Sequence, residues 1–366
     1  MIEQFSIQNF RCLESVTLDF AGKPSVLLLG KNGSGKSTVR HALAVLQQIC
    51  RGSSRVDHLI SQSDFAFHSL KRPIRFEIAV VLTGKRFVYA VAFDWPENFR
   101  EARILQESLT VDGQVIFGRE QAQVELNGGS QFLLDWHVFA LPVINEKPPE
   151  HSIKDLKNFL ASLMLISPIP NRMDGFSNQS TDELQEDAEN FASCLRGLLE
   201  KKPAAYSRFD SFITSVLPDF SSIENEDRGK EGKQLMVTFK HPDADQSLIL
   251  PFEALSSGEK CYFLCAYLIA ANAVGIPIFC FWDEPDNHLS IPEIGQFILS
   301  LRKMAKREGQ FIATSHHPET VRKFSDETTL ILRRQSHLEP TVLRYLKDMT
   351  YNGDLIHALI RDEVIG

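Results

Sequence analysis

The chain has 366 residues, 43% of them hydrophobic and 23% charged, with a formal net charge of −8. That is enough chain for one large or two ordinary domains, and the acidic balance excludes a uniformly basic nucleic-acid binder while leaving room for a local basic face. No apolar run reaches the roughly 18 residues that span a membrane. Residues Met1–Phe10 lack the basic and apolar regions of a signal peptide, so a cytoplasmic protein is expected. Cys12, Cys50, Cys194, Cys261, Cys265 and Cys280 are scattered, with no C-x-x-C, and read as reduced thiols. Cys261 and Cys265 share a helix face, which fits core better than metal.

Residues 1–20 read as two short strands around a turn, with Ile2, Phe5 and Ile7 and then Val16, Leu18 and Phe20 spaced against polar neighbours. Ser25–Leu29 is a buried strand, and Thr38–Gln48 has helical spacing. Residues 51–72 are polar and irregular. Ile74–Leu82 and Lys85–Phe93 flank Thr83-Gly84 as a hairpin, and a second strand pair brackets Asp112-Gly113. Pro142, Pro148, Pro149, Pro168 and Pro170 punctuate the next stretch. Helical patterns fall at Ile153–Leu165, Glu183–Leu199 and Ala205–Leu217, and polar Asn171–Thr181 reads as a mobile segment. There are no sustained heptads and no long repeat. Strands are expected at 234–240, 247–252, 278–282, 311–314 and 328–332. Helices are expected at 259–273, 292–306 and Tyr351–Asp362.

The densest chemical signal is Gly30-Lys31-Asn32-Gly33-Ser34-Gly35-Lys36-Ser37, a G-x-x-x-x-G-K-S phosphate loop between a strand and a helix. Gly30, Gly33 and Gly35 let the backbone curl so that N–H groups face phosphate oxygens, and the helix aims its positive end at them. Lys36 would reach the β- and γ-phosphates, and Ser37 would ligate Mg²⁺. A chance match in a glycine-rich turn is the bland alternative. Asp283-Glu284 ends the apolar strand IFCFW, where a parallel sheet meets its ligands. Asp283 would hold Mg²⁺, and Glu284 would orient or deprotonate a water aimed at the γ-phosphate. Leu255-Ser256-Ser257-Gly258-Glu259-Lys260 opens an apolar helix and offers hydroxyls and N–H groups to an anion. His316, in Thr314-Ser315-His316-His317-Pro318 after another strand, would bond a γ-phosphate oxygen. A solvent-facing His pair is the alternative there.

Together, GKNGSGKS, LSSGEK, IFCFWDEP and ATSHHP resemble the head of ABC-type ATPases. The flavour is that of the RecF/OLD/SMC-like branch, and within it the bacterial AAA_21/AAA_15-type ATPases found beside DNA-repair and phage-defence genes. The N-terminal F-x-I-x-N-F-R pattern, the hairpin FEIAVVLTGKRFVYAVAF and the segments ESLTVDGQVIFGR, EDAENFASCLRGL and FDSFITSVLPDFSSI extend the resemblance over nearly the whole chain.

The resemblance implies an α/β P-loop NTPase fold: an ABC-type head with a mixed sheet, an antiparallel β subdomain and a helical insertion. Residues 1–135 and 226–366 would form one head around an insertion at 136–225. It implies ATP and Mg²⁺ as ligands, held by Gly30 to Thr38. Two heads would pair head-to-tail, with Ser256, Ser257, Gly258 and Glu259 of one copy closing the site of the other. Arg11 is a candidate nucleotide contact, and Gln62 a candidate for the metal-binding glutamine of the Q-loop. Two departures stand out. Ser290 replaces the His or Asp that relatives carry after the acid pair, and Ser257 replaces an Asp common in this branch. No Toprim nuclease domain fits between His316 and Gly366, so any nuclease would be a separate partner.

The expected function is an ATP-driven dimerisation switch, hydrolysing ATP in phage defence or DNA repair with a separate effector. A nucleotide-gated scaffold with negligible turnover is the alternative from another class. A transporter's energy subunit is a poorer fit, because the insertion is large and the N-terminal pattern is SMC-like. Lys201, Lys202, Lys303, Lys306 and Arg307 are candidates for a DNA-binding face, with a solvated helix surface as the plainer alternative.

Overall fold

The computed structural model describes residues 1–145, 152–229, 232–240, 246–350 and 354–361. The chain divides into two compact units, Met1–Leu163 with Ser325–Gly366, and Met164–Phe324. Residues 136–225 are shared between them.

The first unit begins with the expected hairpin, β1 (Ile2–Phe10) and β2 (Leu13–Asp19). Next come β3 (Ser25–Leu29), buried throughout, and α1 (Lys36–Cys50). Six strands follow: β4 (Ile74–Leu82), β5 (Lys85–Asp94), β6 (Arg103–Val111), β7 (Gln114–Glu120), β8 (Gln123–Leu126) and β9 (Gln131–Leu133). They extend the hairpin into an antiparallel sheet of order β2-β1-β4-β5-β6-β7-β8-β9. Both expected two-residue turns have two left-handed central residues: Thr83 and Gly84 at φ 50° and 80°, Asp112 and Gly113 at 49° and 81°. That geometry matches the strand twist, and a glycine at the second position makes it inexpensive.

Under this sheet sits a buried polar knot. The Glu107 carboxylate accepts the N–H groups of Ala140 (2.7 Å) and Leu141 (2.9 Å) and the Tyr89 hydroxyl (2.9 Å). Arg119 lies 3.7 Å from it. Glu107 thereby fastens the short helix α2 (Ala140–Val143) to the sheet. Burial pushes the Glu107 carboxyl and the Tyr89 phenol up from their ordinary values. Helix α3 (Ser152–Ala161) follows.

The second unit opens on β10 (Met164–Ile166), which pairs parallel with β15 (Ile278–Trp282), itself parallel to β16 (Gly309–Ser315). Between them in sequence lie β11 (Phe176–Ser177), α4 (Phe191–Lys201), α5 (Ala205–Val216), β12 (Phe220–Arg228), β13 (Gly232–Lys240), β14 (Ser247–Pro251) and α6 (Ser257–Ala273). Strand β13 is the spine of a second, antiparallel sheet with β11, β12 and β14. Helix α7 (Ile291–Ala305) separates β15 from β16, and α8 (Pro318–Arg322) follows β16. The chain then returns to the first unit. There β17 (Thr329–Arg333) lies parallel to β3, and β18 (Val342–Tyr345) is antiparallel to β17. Helix α9 (Leu355–Ile360) is the last described element.

Several expected boundaries move for local reasons. The helix expected over Ile153–Leu165 ends at Ala161, and Leu165 becomes a strand residue opposite Phe281. Ser162 turns its hydroxyl onto the Phe159 carbonyl at that end (2.9 Å), a local bond that competes with helix continuation. The helix expected from Glu183 starts only at Phe191. The Asn190 side chain accepts from Gln185 N–H (2.9 Å) and donates to the Glu183 carbonyl (2.8 Å), closing residues 183–190 into a loop. Asn171–Thr181, expected as mobile, is tied down where Phe176 and Ser177 pair with Gln234 and Lys233. Strand β12 went unforeseen, because only Phe220 and Ile223 of its nine residues are buried. Tyr351 and Asp362, the expected ends of the last helix, lie outside the described residues, as do Pro148 and Pro149.

Candidate nucleotide site

In the first unit, strand β3 runs into the phosphate loop and α1 leaves it at Lys36, as the motif requires. Gly35 has φ 101°, and a β-carbon there would meet Cys12 Sγ and Leu13 Cδ2 at 2.9 Å. Conformation and space both demand glycine. At Gly30 a β-carbon would fall 2.4 Å from the Leu332 carbonyl. Lys36 is buried, and its ammonium donates to the carbonyls of Gly30 (2.8 Å) and Lys31 (3.2 Å). Lys31, Asn32 and Gly33 are exposed, as is Ser37 at the helix start. Thr38 stands 3.7 Å from Cys12 Sγ. The Ser34 hydroxyl is buried with no partner among the described residues. The loop is braced from far along the chain. Thr341 donates its hydroxyl to the Ser34 carbonyl (2.9 Å), and Arg334 reaches the Gly33 carbonyl (3.4 Å).

Arg11 sits beside the same helix in a left-handed conformation, φ 54°. Its backbone N–H bonds the Asp64 carbonyl (2.7 Å), its Nε bonds the Asp64 carboxylate (2.8 Å), and its Nη1 meets His41 Nδ1 (2.6 Å). Gln62 is exposed and begins the short turn that ends at Asp64.

The acid pair and the switch stretch both lie in the second unit, and one hydroxyl ties them together. Thr314, fully buried at the end of β16, accepts the Glu284 N–H (2.9 Å) and donates to the Asp283 carboxylate. Glu284 adopts φ 53°, a conformation that costs a residue with a side chain about 1–2 kcal/mol. Its carboxylate lies between two side chains: Asn287 donates to Oε2 (2.7 Å), and His316 Nδ1 lies 3.5 Å from Oε1. Next door, the buried Asp286 accepts the hydroxyls of Ser315 and Thr320, and Ser315 in turn accepts the His317 N–H (2.8 Å). The loop after β15 is thus bound to the end of β16 and to α8. His317 faces another way from His316 and caps α8, accepting the Glu319 N–H (3.2 Å).

The LSSGEK stretch begins α6 with a capping box. Ser256 N–H donates to the Glu259 carboxylate (2.7 Å), and Glu259 N–H to the Ser256 hydroxyl (3.3 Å). Ser256 and Glu259 therefore shape the helix start, while Ser257 and Gly258 occupy its first turn. A β-carbon on Gly258 would lie 3.0 Å from the His288 carbonyl. Lys260 is buried and turned inward, donating to the carbonyls of Pro170 (2.9 Å) and Met173 (3.2 Å). Ser290 also begins a helix, in a capping box with Glu293 at the start of α7.

The Ser37 hydroxyl and the Asp283 carboxylate are hard oxygen donors of the kind Mg²⁺ selects. Among the described residues no cluster of three or more His, Cys, Asp and Glu side chains could hold a metal by itself. All six cysteines are free and buried. No helix among the described residues is long and apolar enough to cross a membrane.

A strand–phosphate loop–helix, a strand-end acid pair and a histidine-bearing switch loop define a P-loop ATPase of the ABC type. Residues 25–322 match the family AAA_21, described as "AAA domain, putative AbiEii toxin, Type IV TA system". The chain belongs to that family and is an ABC-type ATPase. It is 34% identical over 122 residues to the aliphatic sulfonates import ATP-binding protein SsuB 2 of Mesorhizobium japonicum. That match covers 32% of this chain and 43% of the transporter protein, so the chain spans less than half of that relative. Its fold is similar to the SmcHead solved with the C-winged helix domain of ScpA, with TM-score 0.58, 16% identity, and 94% and 98% of the two chains covered. It is also similar to the Pyrococcus furiosus Smc head domain solved with an extended coiled coil and the C-terminal domain of ScpA. There the TM-score is 0.56 and the identity 14%, over 94% and 96% of the chains.

Proposed function

We propose that this protein hydrolyses ATP and uses the cycle as a dimerisation switch. The observation that carries the proposal is the setting of Glu284, its backbone held by Thr314 and its carboxylate between Asn287 and His316. In this scheme the phosphate loop binds ATP, with Lys36 at the β- and γ-phosphates and the N–H groups of the glycine loop around them. Arg11 would lie beside the nucleotide. Ser37 and Asp283 would hold Mg²⁺, with Gln62 the candidate third ligand. The cation would neutralise charge on the phosphate oxygens. Glu284 takes a proton from water as the water oxygen bonds to the γ-phosphorus. The bond to the bridging oxygen breaks and leaves ADP. His316 hydrogen-bonds a γ-phosphate oxygen. Ser257 and Gly258 of a second copy, at the positive end of α6, close the site from the other side.

ATP then stabilises the dimer through contacts made only in that state, and hydrolysis removes them. The test is the oligomeric state by light scattering. Glu284→Gln is expected to form dimer on addition of ATP, wild type to form it transiently, and Lys36→Ala to stay monomeric. Equal dimerisation of all three, with and without ATP, would refute the switch.

We assign the setting to phage defence, ahead of DNA repair, acting in the cytoplasm with a separate effector. The support is the toxin-associated description of the family and the protein partners recorded on Smc heads. A direct nucleic-acid contact has one observation in its favour. Lys303 of α7 and Arg307 just beyond its end join Arg208 of α5 around a groove of about 320 Å³ with no acidic residue in its lining. Lys201, by contrast, is ion-paired with Asp182. Binding of a DNA duplex that weakens with salt and is lost in Lys303→Glu/Arg307→Glu would support the contact, and salt-independent binding would remove it.

A further inference from the structure

Asn287 takes no part in the chemical steps above, yet its side chain makes the shortest bond to the Glu284 carboxylate among the described residues, 2.7 Å from Nδ2 to Oε2. Its backbone N–H also bonds the Glu284 carbonyl (3.3 Å), so the residue addresses Glu284 twice. A glutamate side chain has three soft torsions and loses much rotamer freedom when fixed. With Oε2 engaged by an amide, Oε1, on the His316 side, is the oxygen left to accept a proton. Asn287 is itself exposed, so its contribution to folding is small and its bond is better explained by where it puts the carboxylate.

We propose that Asn287 is a positioning residue for Glu284. It donates to one carboxylate oxygen and holds the other ready to accept the proton of the attacking water. This rests on the role of Glu284 as the base.

The experiment is steady-state ATP hydrolysis, resolved into kcat and KM, for Asn287→Ala and Asn287→Asp, with Glu284→Gln as reference. ATP-dependent dimerisation serves as a check on binding. Asn287→Ala is expected to lower kcat about tenfold, the worth of one charge-assisted hydrogen bond, with KM and dimerisation unchanged. Asn287→Asp is expected to be at least as slow. Aspartate matches asparagine in size, but it cannot donate and it repels Glu284. A packing role would give the opposite order, with the isosteric Asp milder than Ala. Wild-type kcat in Asn287→Ala, or higher kcat in Asn287→Asp than in Asn287→Ala, overturns the proposal. If Glu284→Gln itself turns over at the wild-type rate, the base assignment fails and the positioning role falls with it. If Glu284→Gln is inactive and Asn287→Ala is not impaired, the positioning role alone is wrong.

Discussion

Replacing Thr314 by valine removes one hydroxyl from a fully buried position while keeping the branched shape. Two hydrogen bonds go with it: the one accepted from Glu284 N–H at 2.9 Å and the one donated to the Asp283 carboxylate. A neutral bond is worth about 1 kcal/mol and one to a charged group about 1.5–3, so the loss is about 3 kcal/mol. Glu284 is held at φ 53° against its own preference, by about 1–2 kcal/mol. Once the N–H is released, the least costly response is for Glu284 to leave that conformation, and only part of the loss appears as global instability. The expectation is a urea midpoint lowered modestly and ATP turnover lowered about a hundredfold, since each 1.4 kcal/mol is a factor of ten. Urea denaturation followed by circular dichroism and steady-state phosphate release measure the two effects. An unshifted midpoint with turnover within about twofold of wild type would refute the reasoning, because a bond of this worth cannot vanish silently.

Three further outcomes are expected. Gly35→Ala forces a left-handed alanine against Cys12 and Leu13, so equilibrium binding of a fluorescent ATP analogue should weaken by at least about tenfold. Lys260→Met removes the ammonium that bonds the Pro170 and Met173 carbonyls, at a cost of about 2 kcal/mol, and should lower the melting temperature by about 3 °C without weakening nucleotide binding. Glu107 gives a pH signature. Its carboxyl is raised by burial, so the folded state favours the protonated form. The stability this contributes is full below the ordinary glutamate range and is lost as pH rises through the raised value. The stability advantage of wild type over Glu107→Gln should therefore be largest in acid and narrow toward neutrality, as read by chemical denaturation across pH. A gap that widens with pH would contradict the assigned direction.

The phosphate loop, the acid pair and the signature helix are legible in the sequence because each is local. A strand, a few residues of fixed chemistry and a helix lie together in the chain, and apolar runs such as Ser25–Leu29 and Ile278–Trp282 mark the buried strands. What escaped is what tertiary structure brings in. Thr341 braces Ser34, and Asp64 holds Arg11, across spans with no periodicity to read. Thr314 stood in plain view within the switch stretch, but a hydroxyl at a strand end has no pattern of its own. Its role is visible only when both loops are in place. The two helices whose ends differ from expectation do so for a related reason. Ser162 and Asn190 offer local hydrogen bonds that outcompete one more helical turn, and the short apolar run Met164–Ile166 serves a strand as readily as a helix.

The central claim is that catalysis needs two copies of the chain. Specific ATP turnover measured across a wide range of protein concentration tests it most directly. A site completed by Ser257 and Gly258 of a second copy predicts turnover per chain that rises with concentration and then levels off, and Gly258→Asp should abolish it without releasing ATP. Turnover per chain that stays constant down to the lowest concentration would contradict the account, because a lone copy would then be sufficient.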